Sequence, residues 1–234
     1  MAQASVRENL LRIQERIAAA AARAGRRAEE ITLIAVSKTH PASAIREAHE
    51  AGIRHFGENR VQEWEGKRAG TEGLAATWHL IGHLQSNKTA RAAKLFHSVD
   101  SVDDFAIAQR LDRGRAEAGI GGKLRVLIEV RIAPEETKSG VEINELSALA
   151  EKLAELPRLE LAGLMCIPPF LDDAERVRPY FRRLRELRED LSRKLSHALP
   201  VLSMGMSHDF EVAIEEGATE VRVGTALFGT RETQ

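Results

Sequence analysis

The sequence predicts an α/β fold, a closed (β/α)₈ TIM barrel preceded by one helix, and three observations predict it. Eight short apolar runs alternate with helical or helix-opening segments along the chain, the pattern of a parallel sheet assembled from βα units. No linker, repeat or low-complexity stretch interrupts the alternation, and about eight such units in roughly 250 residues is the count of a closed barrel. No G-x-G-x-x-G stands in the first βα turn, where an open dinucleotide-binding sheet would carry it.

The elements follow in order. Ser5 followed by Glu8 is a capping-box pattern, and Val6, Leu10, Ile13 and Ile17 recur at spacings of 4, 3 and 4 before Gly25; together they predict an amphipathic leading helix. ITLIAVSK predicts the first strand, with PASAIREAHEAG as its helix. HFGEN precedes RVQEWEGKRAG, TWHLIG precedes LQSNKTARAAK, and LFHSVDS precedes VDDFAIAQRLDRGRAEAG. KLRVLIEVRI precedes VEINELSALAEKLAEL, and LELAGLMCIPP precedes a long arginine-rich helix. VLSMGMS with HDFEVAIEEG, and EVRVG with TALFGTR, complete the eight units. In RVRPYFRRLRELREDLSRK, Glu186, Glu189 and Asp190 fall at spacings that pair with the arginines, which predicts a solvated helix face and not a nucleic-acid patch. Pro179 marks a kink in that helix or its true start.

The chain has 234 residues, 43% hydrophobic and 29% charged, enough to bury a full core. Lys plus Arg number 34 against 35 Asp plus Glu, so no net positive field gathers nucleic acid or an anionic membrane. Cys166 is the only cysteine, which excludes an intrachain disulfide and a cysteine-rich zinc site and fits a reducing compartment. The N-terminus MAQASVRENLLRIQERI lacks a signal-peptide core and no later stretch reaches membrane-spanning length. The expected location is the cytoplasm.

In a barrel of this kind the functional groups sit at the C-terminal ends of the strands. Those ends carry Lys38, Asn59, His79 with Gly82, Met165, the run from Ser203 through Met204 to Ser207, and Arg222 with Gly224 and Thr225. Lys38 directly follows a buried strand. It is either a snorkelling stem with its charge in water or an amine whose pKa is lowered by partial burial so that it attacks a carbonyl. SMGMSHD followed by FEVAIEEG predicts Ser207 as a helix N-cap, Asp209 in the first turn and Gly217 as the stop. Backbone N–H groups there, with the Gly224 and Thr225 turn, make an anion station. Singly, each feature reads as ordinary capping, turn or surface charge. Together they favour a phosphorylated carbonyl compound, and pyridoxal 5′-phosphate (PLP) has both halves.

Competing chemistries are less well supported. His79 and His83 are four apart, but at a strand end that spacing does not converge and no third ligand stands out; no metal is expected. No G-x-S-x-G is present for a hydrolase. Cys166 lies in an apolar strand and reads as a packed thiol.

IAVSKTHP, HFGENRVQE, WHLIGHLQSNK, GLMCIPP and LSMGMSHDFEVAIEEGATEVRVGTALFG, in that order, resemble the pyridoxal phosphate homeostasis proteins, small PLP binders similar to the N-terminal barrel of alanine racemases. The resemblance runs from the leading helix to Arg231 and implies that residues 1–234 form a single PLP-binding barrel domain. It implies that Lys38 holds PLP as an internal aldimine, that Asn59 lies near the ring, and that Ser207, Gly224 and Thr225 hold the phosphate. Arg222 faces either the ring nitrogen or the phosphate. The expected cofactor-binding set is thus Lys38, Asn59, His79, Met204, Ser207, Arg222, Gly224 and Thr225, with no catalytic residue. One departure is Arg131, where the family has asparagine; Lys138 matches the family's lysine in the same loop.

A racemase needs a second base besides its lysine. Alanine racemases take a tyrosine from an additional β-domain of a partner subunit, which is not expected here, and the single tyrosine, Tyr180, falls in the arginine-rich helix. The resemblance therefore implies a non-enzymatic, monomeric PLP carrier in vitamin B6 homeostasis that hands PLP to PLP-dependent apoenzymes, without nucleic-acid or membrane partners. The alternatives are a weak amino-acid racemase and a Schiff-base aldolase.

Overall fold

A computed structural model describes residues 5–133 and 139–229. Eight strands, β1 (Thr32–Val36), β2 (His55–Glu58), β3 (Thr77–Leu80), β4 (Ser98–Val102), β5 (Leu124–Glu129), β6 (Leu159–Met165), β7 (Val201–Met206) and β8 (Glu220–Val223), pair in sequence order and close on themselves. Every pairing is parallel, and β8 returns to β1 with Leu33 opposite Val221 and Ala35 opposite Val223. The predicted (β/α)₈ barrel is the observed fold; the strands lie inside the predicted runs except β4, which continues one residue further, to Val102, a residue the sequence reading placed in the following helical segment.

The helices are α1 (Val6–Arg23), α2 (Ala42–Glu50), α3 (Val61–Lys67), α4 (Thr89–Leu95), α5 (Phe105–Glu117), α6 (Leu146–Ala154), α7 (Arg178–Leu195), α8 (Phe210–Glu215) and α9 (Thr225–Phe228). The Ser5 capping box forms in both directions, at 3.2 Å from the Glu8 N–H to Ser5 Oγ and 2.9 Å from the Ser5 N–H to Glu8 Oε2, and Val6, Leu10, Ile13 and Ile17 are buried as the spacing requires. α1 packs against α8 and α9. The leading helix thus supplies cover that the four-residue α9 cannot. Pro179 lies in the first turn of α7, so it marks a start and not a kink, because a missing N–H costs nothing there.

The main core fills the layer between strands and helices and includes Phe56, Phe96, Phe181 and Phe210, all fully buried. Leu127, Ala162 and Met165 form a second, separate apolar cluster. Strand crowding dictates one residue sharply. A Cβ at Gly163 would lie 1.9 Å from the Val201 carbonyl oxygen, so β6 and β7 approach closely only because glycine stands there. Among the described residues no helix is long and apolar enough to cross a membrane.

Candidate functional site

A cavity of about 460 Å³ opens at the C-terminal ends of the strands. Lys38, Asn59, Ser207, Arg222, Gly224 and Thr225 all line it, joined by Glu129, Met206 and Asp209. The topology brings them together: Lys38 leaves β1, Arg222 sits on the neighbouring β8, and the turns after β7 and β8 carry the small and hydroxyl residues. A wider cleft of about 770 Å³ over the β2 and β3 loops shares Asn59, Gly82 and His83 but is not lined by Lys38 or Arg222. The smaller cavity is the candidate site, because six of the expected residues line it together.

Arg222 is almost completely buried. Its Nη1 donates to Ser203 Oγ at 2.8 Å and its Nη2 to the Cys166 carbonyl at 2.8 Å, which pins a cation across β6 and β7. Two carboxyls face it. Burial pushes Glu129 above the ordinary carboxylate range, against the pull of a 2.9 Å hydrogen bond from Ser139 and the charge of Arg222. Burial likewise pushes Asp209 up, against the Met206 N–H that donates to it at 2.6 Å and against Arg222. Groups shifted toward their neutral form cancel less of the arginine's field.

Gly224 follows β8 beside the end of β1, where an added Cβ would lie 3.4 Å from both Cβ and the carbonyl oxygen of Val36, in ordinary contact. The Ser207 hydroxyl accepts from the Ala226 N–H at 3.3 Å, tying the β7 turn to the first turn of α9. This corrects one expectation: α8 begins at Phe210 with Asp209 as its N-cap, so Ser207 caps nothing on its own helix and bonds across to the next unit. Gly217 does end α8, with φ +100°.

Two expected residues lie outside this cavity. Met204 is fully buried in the main core, because strand side chains alternate and Ser203 takes the inward face that bonds Arg222. His79 is fully buried within the barrel. Its Nδ1 is 3.0 Å from Asp100 Oδ2 and its Nε2 3.1 Å from His55 Nδ1, while Ser98 donates to Asp100. Glu220 lies in the same layer, paired with Arg125 at 2.6 Å. Two carboxylates thus do converge on His79, with ligand atoms within 4.8 Å of one another, which the sequence spacing did not reveal. Both histidine nitrogens are already engaged and Arg125 supplies the countercharge. His83 is separate, exposed, and 3.6 Å from Asp103.

Arg131 pairs with Glu142 and lines a neighbouring small pocket with Glu129 and Ser139, not the Lys38 cavity. Lys138 lies outside the described residues. Tyr180 packs on the core from α7. Glu129 was missed by sequence reasoning, and Asp209 was read only as part of a helix start, since an acid at a strand end or helix start reads as an ordinary cap or surface charge.

Comparison with known proteins places this geometry. Residues 9–232 match the family described as the alanine racemase N-terminal domain. The chain is 48% identical over 225 residues to the pyridoxal phosphate homeostasis protein of Aquifex aeolicus, covering 96% of this chain and 98% of that one. It is 49% identical over 228 residues to the protein of that name from Pseudomonas aeruginosa, covering 97% and 96%. The structure of PipY from Synechococcus elongatus with PLP bound superposes with a TM-score of 0.82 at 42% identity, covering 93% of this chain and all of PipY. The chain therefore belongs to the alanine racemase N-terminal domain family and, within it, to the pyridoxal phosphate homeostasis proteins.

Proposed function

We propose that this protein is a non-enzymatic PLP carrier of vitamin B6 homeostasis that holds the cofactor in the Lys38 cavity. The observation that carries the reading is the convergence of an amine, Lys38, a buried guanidinium, Arg222, and the hydroxyl and glycine turns of Ser207, Gly224 and Thr225 on one cavity. That donor set fits the group from both ends. When bound, PLP supplies an aldehyde that a lysine amine takes up reversibly and a phosphate that hydroxyls and first-turn amides bind. Lys38 is the residue proposed to hold the aldehyde end, Asn59 the ring, and Ser207, Gly224 and Thr225 the anionic end.

Arg222 is assigned to the ring nitrogen. Its anchors are Ser203 and Cys166, whereas the anion turns meet at the Ser207 and Ala226 contact. A fixed cation there keeps a ring nitrogen unprotonated and weakens the ring as an electron sink, which suits non-catalytic or racemase-like use better than transamination. A racemase reading needs a second base. Tyr180 does not line the cavity, and the imidazole of His208 is held 3.1 and 3.0 Å from the Leu171 and Asp172 carbonyls. The carrier is further proposed to act as a monomer in the cytoplasm and to pass PLP to apoenzymes.

The test is direct. Protein loaded with PLP is expected to be yellow, to bleach with borohydride, and to carry the reduced label on Lys38 by peptide mass analysis. Lys38→Ala is expected to lose the label. Solvent deuterium exchange at the α-carbon of amino acids that Lys38→Ala abolishes would replace this reading with a racemase, and a colourless protein trapping a sugar phosphate would replace it with an aldolase.

A further inference from the structure

We infer that Glu58, Glu63 and Lys67 form a positioning clamp that fixes the backbone on both sides of Lys38 and aims its amine into the cavity; this deepens the PLP-holding reading and rests on it. The three side chains come from the end of β2 and from α3, yet all reach residues 37–39. Ser37 Oγ donates to Glu58 Oε1 at 2.7 Å. Lys67 Nζ donates to the Ser37 carbonyl at 2.8 Å, to the two Glu58 oxygens at 3.0 and 3.1 Å, and to Glu63 Oε1 at 2.7 Å. The same Glu63 oxygen accepts from the Thr39 N–H. Lys38 is thus bracketed: its predecessor is held at carbonyl and hydroxyl, its successor at the amide.

Two independent features indicate that this bracket holds the turn in place. Thr39 has φ +66°, a left-handed conformation that a β-branched residue adopts only when its surroundings impose it. A relaxed Thr39 would re-aim the residue before it. The second feature is burial. Glu58 is fully buried and the Lys67 side chain is only 12% exposed. A Glu–Lys pair four apart on a solvated helix needs no such desolvation. Burial pushes Glu58 upward, and the Ser37 hydroxyl and Lys67 oppose that push.

Capture of an aldehyde by Lys38 forms a carbon–nitrogen double bond and releases one water, so it depends on where the amine points. Pyridoxine 5′-phosphate keeps the ring and phosphate but carries an alcohol, so it cannot make that bond. Binding of both compounds is therefore compared in wild type, Glu63→Ala and Lys67→Met by fluorescence titration, with borohydride trapping on Lys38 as the second readout. Glu63 is partly exposed, so its variant retains the fold; Lys67→Met tests the cation. A loss of about tenfold in PLP affinity and trapping, with pyridoxine phosphate held within about twofold, is the expected result. Equal losses for both compounds, or none for either, overturn the clamp while leaving the carrier intact. A wild-type protein that binds neither compound overturns the carrier reading and the clamp with it.

Discussion

Burial pushes the Cys166 thiol up to about 12, opposed only in part by Arg222, so at pH 8 about one sulfur in 10⁴ is thiolate. Alkylation of the native protein by iodoacetamide at pH 8 is accordingly expected to be negligible over hours and stoichiometric once urea unfolds the chain; mass spectrometry reads both. Rapid native labelling would show that the β6 end opens. Cys166 was legible as a packed thiol because its neighbours are apolar. Lys38 was legible for the opposite reason, an ammonium directly after a run that must be buried. Its supporting residues were not. Glu63 and Lys67 are four apart on a predicted helix, the commonest pattern of a solvent-facing pair, and only the tertiary approach of α3 to the end of β1 turns that pair inward.

The arginine-rich α7 shows a similar partial legibility. Its helical spacing did predict pairs within the helix, and Arg183 with Glu186 at 3.5 Å is one. The more buried contacts run to the residue that ends α8: Glu216 receives Arg178 at 3.2 Å, Arg182 at 3.0 Å and Arg185 at 3.2 Å. Sequence spacing describes one helix at a time, so contacts between α7 and α8 were outside its reach. Glu216 is nearly buried. Burial alone would raise its carboxyl, but hydrogen bonds from Arg182 and Arg178 outweigh this and hold it below its ordinary value of 4.5. A carboxyl depressed in the folded state adds stability that is present above the unfolded value and lost as pH falls through the folded one. Glu216→Gln is therefore expected to lose about 1–2 kcal/mol at pH 7 by urea unfolding, with the gap to wild type narrowing only below pH 4.5. A gap that stays constant into acid would remove the ion pairs as its cause.

The barrel as a whole was legible because eight alternations leave few topologies. Which strand residues face inward was not. Strands buried on both faces do not alternate polar with apolar, and the register shifts between β4 and β5, β5 and β6, and β7 and β8. The polar layer of His55, His79, Asp100, Arg125 and Glu220 is assembled from five strands by that register alone. It makes the stability of the molecule depend on pH in a separate window. Burial, then the charges of His79 and Arg125, lower His55 from 6.5 to about 4. Between those values the unfolded chain takes up the proton first, so stability rises with pH and is lost as pH falls from 6.5 toward 4. Complete burial would make the loss about 3 kcal/mol; the ring is only half-buried, and solvent screening reduces it to about 1–2 kcal/mol. His97, also lowered by burial and His79, and the raised carboxyls of Glu58, Glu129 and Glu220 titrate in any variant that leaves them in place. Comparison of wild type with His55→Gln by urea unfolding at pH 7, 5.5 and 4.5 isolates the one ring. The variant is expected to show the shallower slope by that 1–2 kcal/mol, and equal slopes would mean that His55 stays neutral in both states or reaches water freely in the folded one.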